Sequence, residues 1–424
     1  MEATPLLKVS DMAENLVGSE IIKLAGEVKE KINKGEKIYN YTIGDFDPEI
    51  FPIPSELTDE IIKAYRAGHT NYPAANGMQE LRKSVSRYLH TRGGVEYNES
   101  QILISGGARP LIYAIYQTIL DEGDTVVFPT PSWNNNHYCH LAGAKQVKIE
   151  ASPDNNFMPT AKDIKPYISE AKIIALCSPL NPTGTTFSEK GLEEICDLIL
   201  EENKKRGEQK KPVYLLFDQI YWQLTHGLTI HIDPVSLRPR MKNYTIYVDG
   251  ISKAFAATGV RVGWAFGPQK IIDKMRSICS HIGAWSPKPE QIACANYLMN
   301  DDAVDNYLAD IKAKINQRLT AFYDGFSNLK SQGYRVSAIA PQAAMYLTVK
   351  ISIQGSTTPD SIKLTTAEAV TRYLLNDAKI ALVPFYAFGA SKKSSWYRLS
   401  VGTVKMDDVP GFFSNLKASL DRLT

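Results

Sequence analysis

Short runs of apolar residues alternate with helical patterns between about residues 101 and 267. The runs are QILIS, TVVFP, QVKIE, KIIALCS, VYLLFD, YTIYVDG and VGWAFG. Several of them are apolar without alternation, which is typical of strands buried on both faces of a largely parallel sheet covered by helices. The pattern therefore predicts an α/β fold, and ligands of such sheets bind beyond the carboxyl ends of the strands.

Helical patterns predominate on both sides of this block. Residues 20–34 and 55–67 predict amphipathic helices that stop at Gly35 and Gly68, and residues 301–330 predict a long helix. A mixture of short strands and helices follows, up to the end of the chain. We therefore expect the two ends of the chain to fold together as a small domain.

Length and charge favour a large domain plus a smaller one, with small molecules as partners. The chain has 424 residues, which exceeds one minimal domain, and its 48 lysines and arginines nearly balance 46 aspartates and glutamates. The absence of a long block of like charge argues against nucleic acid or a membrane surface as a partner. Residues 202–212 predict a charged surface loop.

Cysteine usage and apolar segment lengths predict a cytoplasmic protein. Five cysteines are scattered without a Cys-x-x-Cys pair, which indicates neither a zinc site nor a disulfide framework. The first 18 residues lack the pattern of a secretory signal, and no apolar stretch is long enough to span a bilayer. His69, His137, His140 and His281 lack metal-ligand spacing, so no metal is expected.

Two strand ends carry residues that suit a bound anion or a polar group. Residues 105–109 lie between QILIS and a helix expected to begin near Pro110, and the free amides of a helix N-terminus bind phosphate. A Gly-Gly junction between a strand and a helix is more often a plain tight turn. Asn181 follows the strand KIIALCS in the turn Asn-Pro-Thr-Gly, where its amide either reaches over the sheet edge or belongs to an ordinary loop.

Two further strand ends carry ionisable residues. Asp218 ends VYLLFD, with Tyr221 three residues later, and an Asp at such a place also commonly caps a helix. Ser252 and Lys253 follow YTIYVDG, and Arg261 lies eight residues beyond the lysine. A lysine among small and apolar neighbours would be partly desolvated, which lowers its pKa and suits Schiff-base formation. A solvated surface lysine is the alternative.

Nine motifs follow one another along almost the whole chain. They are TIGDFDP, NYPAANGMQELR, SGGARPLIYAI, FPTPSWNNNHY, LNPTGTTFSEKGL, FDQIYWQL, GISKAFAATGVRVGWAFGP, ALVPFYAFG and WYRLSVGT. Their order and spacing resemble class I and II aminotransferases of pyridoxal-5'-phosphate (PLP) fold type I, especially the bacterial-type aspartate aminotransferases. The resemblance implies a large domain of residues 46–309, with a mostly parallel central sheet between helices. It also implies a small α+β domain of residues 1–45 and 310–424.

The resemblance also implies a role for each candidate residue around PLP as cofactor. Lys253 would form the Schiff base, Asp218 would pair with the pyridine nitrogen, and Tyr221 and Asn181 would contact the phenolic oxygen. Trp133 would stack on the ring. The remaining cofactor ligands, which would hold the phosphate, are Gly107, Ala108, Arg109, Ser252, Arg261 and a Tyr72 that reaches across from a second subunit.

The implied reaction is a ping-pong transfer of an amino group between an L-amino acid and a 2-oxo acid. Arg398 would bind the α-carboxylate as a planar fork, and the backbone of Gly44 would close on the same group. Asn181 and Trp133 would also contact the substrate, while Lys253 would move the α-proton. Trp285 and Tyr346 are further candidates for the pocket wall. The role of Tyr72 implies a homodimer with shared active sites.

Four positions differ from the pattern of the aspartate-specific branch. Arg109 stands where a Lys helps to bind a distal carboxylate, and Ile21 stands where a Thr assists. Tyr386 replaces a small residue, and Gln219 replaces a Glu. Aspartate or a similar amino acid is the candidate donor, with Arg109 as the candidate ligand of its distal carboxylate.

Other functions share parts of this pattern. A PLP-dependent carbon–sulfur β-lyase uses the same first half-reaction on the same fold, and product analysis separates the two. A non-catalytic PLP or amino-acid sensor is a second alternative, although no basic helix-turn-helix segment precedes the core. A dinucleotide-binding oxidoreductase needs a Gly-x-Gly-x-x-Gly turn, which SGGARP does not supply.

Overall fold

The computed structural model describes residues 8–16, 18 and 20–424. Residues 1–7, 17 and 19 lie outside the described residues, together with the parts of the predicted small domain and of the N-terminal segment that fall on them. The described chain contains helices and strands in the alternation expected from the apolar runs. The α/β fold class is confirmed.

The strands of the described residues form three sheets. They are β1 (Tyr39–Asn40), β2 (Ile102–Ser105), β3 (Thr125–Thr130), β4 (Lys145–Glu150), β5 (Ala171–Cys177), β6 (Tyr214–Asp218), β7 (Thr245–Gly250), β8 (Gly263–Phe266), β9 (Val336–Ala338), β10 (Tyr346–Ile351), β11 (Ile380–Ala381), β12 (Val383–Pro384) and β13 (Trp396–Ser400).

The α-helices of the described residues range from single turns to a helix of 31 residues. They are α1 (Asp11–Glu14), α2 (Glu20–Asn33), α3 (Ser55–Arg66), α4 (Gln79–Gly93), α5 (Ala108–Ile119), α6 (Asn135–Leu141), α7 (Ala161–Ile164), α8 (Glu189–Arg206), α9 (Pro234–Leu237), α10 (Ile251–Ala254), α11 (Gln269–His281), α12 (Lys288–Tyr297), α13 (Asp301–Ser331), α14 (Ala367–Asn376) and α15 (Val409–Asp421).

The central sheet has the strand order β2-β8-β7-β6-β5-β3-β4 and is parallel except for β8, which runs antiparallel to both β2 and β7. Helices α3, α4, α8 and α12 pack on one face, and α5 and α11 pack on the other. Every residue of β3 and β7 is buried, as expected for strands covered on both faces. Because β5, β6 and β7 are parallel neighbours, their carboxyl ends meet at one edge.

The predicted long helices are confirmed as α2, α3 and α13, with ends within a few residues of those expected. Helix α5 begins at Ala108, two residues before Pro110, since a proline is tolerated in the first turn of a helix. The surface loop predicted for residues 202–212 is wrong in its first half. Helix α8 continues to Arg206, whose buried guanidinium donates to the backbone oxygens of Ile168 and Lys211.

The two ends of the described chain meet in the smaller sheets. Strand β1 pairs in parallel with β11, and an antiparallel sheet has the order β12-β13-β10-β9. Helix α13 runs without interruption through residues 309 and 310, with Leu308 in the core below the central sheet and Ile311 in the core of the smaller sheets. The division into domains at this point stays a prediction.

No helix in the described part of the chain is long and apolar enough to cross a membrane. The cytoplasmic location stays a prediction.

Candidate active site

Lys253 lies on the short helix α10, directly after the carboxyl end of β7. Its Nζ atom donates to the backbone oxygen of Gly44 at 2.7 Å. Burial lowers the pKa of this amine to about 8, although the nearby charge of Asp45 opposes the change. Lys253 is therefore not a solvated surface residue, and a substantial part of its amine is unprotonated near neutral pH.

Asp218 ends β6, on the strand next to the one that precedes Lys253. One carboxylate oxygen accepts the backbone amide of Ile220 at 3.0 Å, and burial raises the pKa of the group to about 6. Because residues 220–223 form a turn rather than a helix, Asp218 does not cap a helix. Tyr221 lies in that turn and is 3% exposed, with its hydroxyl 2.7 Å from that of Tyr346.

Arg398 on β13 is buried against two aromatic rings. Its guanidinium carbon lies 4.7 Å from the ring centre of Tyr346 and 5.0 Å from that of Phe388. Its terminal nitrogens donate to Asn181 Oδ1 at 3.0 Å and to the backbone oxygen of Thr42 at 2.7 Å.

The Nε atom of Arg398 is buried without a hydrogen-bond partner, and no carboxylate of the described residues forms a salt bridge with the side chain. Burial lowers the pKa of this guanidinium. A buried cation without a counter-ion is costly, so this position favours an anionic ligand.

The start of α5 lies against Arg261. Arg261 donates to the backbone oxygens of Gly106 at 2.6 Å and Thr258 at 2.7 Å. Gly107 precedes the helix with a φ of 105°, and a side chain there would collide with the Arg261 guanidinium. A Cβ on Gly263 would likewise lie 2.7 Å from the carbonyl carbon of Gly107. Glycine is therefore required where the backbone amides of α5 approach the arginine.

Other predicted site residues lie near Lys253, near the start of α5 and near Arg398. Ala108 is the first residue of α5, and Ser252 adjoins Lys253 in α10. The guanidinium carbon of Arg109 lies 5.3 Å from the ring centre of Trp133, whose ring lies 6.2 Å from that of Phe388. Aromatic rings thus line the space between Arg109 and Arg398.

Within the described residues, Tyr72 forms no hydrogen bond or ring contact with Lys253, Asp218 or Tyr221 of its own chain. The side chain is 81% exposed, and its ring lies 5.2 Å from that of Trp285, which adjoins the backbone of Gly106. Ile21 packs in the same apolar cluster as Trp133 and Phe388. Within the described residues, no group of histidine, cysteine, aspartate and glutamate could hold a metal ion.

Sequence reasoning missed Asp249, a second buried carboxyl group at the end of β7. It is 1% exposed, accepts Trp222 Nε1 at 2.9 Å and the amide of Gly250 at 2.7 Å, and burial raises its pKa to about 7. It also missed Thr42 and Phe388 as partners of Arg398. Asp249 ends an apolar run as Asp218 does, and the other two belong to the motifs TIGDFDP and ALVPFYAFG, so the patterns already in use could have found them.

Comparison with known proteins gives consistent results over almost the whole chain. The family of class I and II aminotransferases matches residues 41–411. The aspartate aminotransferase of Bacillus subtilis is 28% identical over 401 residues, which cover 94% of this chain and 95% of that protein. The aspartate aminotransferase of Geobacillus stearothermophilus is 28% identical over 91% of this chain and 92% of its own length.

A solved structure agrees with these sequence matches. The crystal structure of the aspartate aminotransferase from Rhizobium meliloti superimposes with a TM-score of 0.89 at 25% identity, covering 99% of this chain and all of that one. Fold type I is thereby confirmed, and the comparisons favour amino transfer over the lyase and sensor alternatives. The chain belongs to the class I and II aminotransferase family, and it is a transaminase.

Proposed function

We propose that this transaminase uses PLP to move an amino group between an amino acid of the aspartate type and a 2-oxo acid. The observation that carries the proposal is the buried Lys253 amine, whose pKa is lowered to about 8 among the charges of Arg398, Arg109 and Arg261. An amine that is partly unprotonated near neutral pH, in a cleft lined by cations, suits a cofactor with an aldehyde and a phosphate.

The residues of the cleft fit two polar parts of PLP, the phosphate and the pyridine nitrogen. The amides at the start of α5, with Gly107, Ala108, Arg109, Ser252 and Arg261 around them, suit the phosphate. Asp218 suits the pyridine nitrogen, since a cation beside this carboxylate would reverse the rise in pKa that burial causes. PLP, when bound, supplies an electron-accepting ring for the reaction.

The protein's own groups would then bind, orient and move a proton. Arg398 holds the α-carboxylate of the substrate in a fork, with Asn181 and Gly44 beside it. Tyr221 and Asn181 would hydrogen-bond the phenolic oxygen of the cofactor, and Trp133 would stack on its ring. With PLP bound, the Lys253 amine would serve as the base that takes the α-proton of the substrate.

Arg109 is the proposed ligand of a distal carboxylate on the substrate. It lies across the aromatic wall from Arg398, and the relatives described above are named aspartate aminotransferases. Ile21 offers no hydrogen bond here, so the arginine would bind the distal group alone. Arg109→Ala should therefore reduce kcat/KM for acidic donors more than for neutral ones. An equal loss for both would make Arg109 a phosphate-site residue only.

A homodimer completes the proposed site. Tyr72 is 81% exposed and lies near the phosphate site, where a second copy of the chain could use it. Size-exclusion chromatography with light scattering would measure the subunit number, and a monomer with full activity would remove Tyr72 from the site.

The deciding experiment is an absorbance scan of the purified native protein and of Lys253→Ala, with PLP and single amino acids added in turn. We expect a visible band in the native protein only, which acidic donors bleach and a 2-oxo acid restores. Absence of a band with added PLP would refute the cofactor. A band that no 2-oxo acid restores, with pyruvate and ammonia released, would indicate the lyase reaction.

A further inference from the structure

Tyr346 connects the four-stranded antiparallel sheet with the central sheet. It is the first residue of β10, in the sheet that carries Arg398, and its side chain is 1% exposed. Its hydroxyl lies 2.7 Å from that of Tyr221, which follows β6 of the central sheet. A Cβ on Gly44 would lie 3.0 Å from the same hydroxyl. Tyr346 therefore contacts residues proposed to bind both the cofactor and the substrate.

The charges around Tyr346 indicate which hydroxyl donates. Burial raises the pKa of both phenols, but at Tyr346 the cation of Arg398 is the strongest influence that opposes the rise. At Tyr221 the neighbouring Tyr346 raises the pKa further. Either hydroxyl could donate across this 2.7 Å contact, and the more acidic one is the better donor, which favours Tyr346 as the donor. The titratable and charged groups that face Tyr346 are Arg398, Tyr221, Cys177 and Asp45.

We propose that Tyr346 is a positioning residue, whose hydroxyl donates to Tyr221 and so directs the Tyr221 proton toward the phenolic oxygen of PLP. This inference rests on the proposed function. A phenol has one proton, and the bond from Tyr346 leaves that of Tyr221 free for the cofactor. Donation to the phenolic oxygen stabilises its anion and thus favours the unprotonated link between Lys253 and PLP.

The test is a pH titration of the visible absorption band of the PLP-loaded protein. Tyr346→Phe should raise the pH midpoint by about half to one pH unit, the size expected for one hydrogen bond. The phenylalanine keeps the ring beneath Arg398, so KM for the amino donor should stay unchanged while kcat falls. Tyr346→Phe should add no shift in a Tyr221→Phe background, because the first variant acts through the second residue.

Tyr373→Phe is the matched control, since Tyr373 is also buried and its hydroxyl also donates a 2.7 Å hydrogen bond, to the Ser419 backbone far along the chain. This variant should leave the midpoint unchanged. An unchanged midpoint in Tyr346→Phe, or equal shifts in both backgrounds, would overturn the inference and leave the proposed function intact. A fall in the midpoint would overturn the donor assignment. A native protein without any visible band would refute both proposals.

Discussion

The lowered pKa of Lys253 predicts an amine that reacts with aldehydes near neutral pH. With a pKa of about 8 instead of the ordinary 10.5, about a fifth of the amine is neutral at about pH 7.4, compared with about 0.08% for an ordinary lysine. The reactive fraction is therefore about 250 times larger. Replacing Asp45 by Asn should lower the pKa of the Lys253 amine further, because the Asp45 charge favours the protonated amine.

The assay is reductive trapping of the PLP-free protein. Protein is mixed with PLP at a series of pH values and reduced with borohydride, and the modified peptide is quantified by mass spectrometry. The exposed Lys393 in the same digest reports the behaviour of the surface amines. A trapping midpoint for Lys253 above about pH 9.5 would refute the argument from burial. A rise of the midpoint in Asp45→Asn would refute the role given to that charge.

Three further outcomes follow from the geometry. Arg398→Lys should raise KM for amino donors at least about tenfold in steady-state kinetics, since a lysine cannot form the fork, while the visible band remains. Asp249→Asn should lower the free energy of unfolding in urea by about 1–3 kcal/mol, because an amide has one acceptor oxygen for the two donors of Asp249; an unchanged urea midpoint would contradict this. Burial lowers the pKa of His231 from 6.5 to about 4. As the pH falls from 6.5 toward 4, the imidazole of the unfolded chain therefore becomes protonated before that of the folded chain, and the free energy of unfolding decreases. The loss should be about 2 kcal/mol between about pH 8 and 5, absent in His231→Phe and retained in a variant of the exposed His281.

Local pattern was sufficient for the elements and for most of the candidate site. Runs without alternation predicted strands buried on both faces, because burial of a strand is recorded in its own side chains. Asp218 and Lys253 were found from the rule that parallel strands bind ligands at their carboxyl ends. A single strand end does not indicate the role of its residue. The roles expected for Asp218 and Lys253 came from the resemblance carried by the order of nine motifs.

The direction and the partners of the elements depended on the tertiary structure. The sequence of β8 is apolar whichever way the strand runs, so only pairing with β2 and β7 shows that it is antiparallel. The charged residues near the end of α8 predicted a loop, but Arg206 is buried, because the carbonyl groups of Lys211 and of the distant Ile168 accept its hydrogen bonds. Such acceptors leave no trace in the local pattern.

The candidate cleft likewise has features that the sequence predicted and contacts that only the tertiary structure shows. The sequence by itself determined that an amine, a carboxylate and a Gly-Gly turn each follow an apolar strand run. Only the structure decided that Tyr346 meets Tyr221 across 125 positions of chain, and that Arg398 lies buried between two aromatic rings. Hydrophobic periodicity records whether a side chain is buried, whereas its contacts depend on how separate elements pack together.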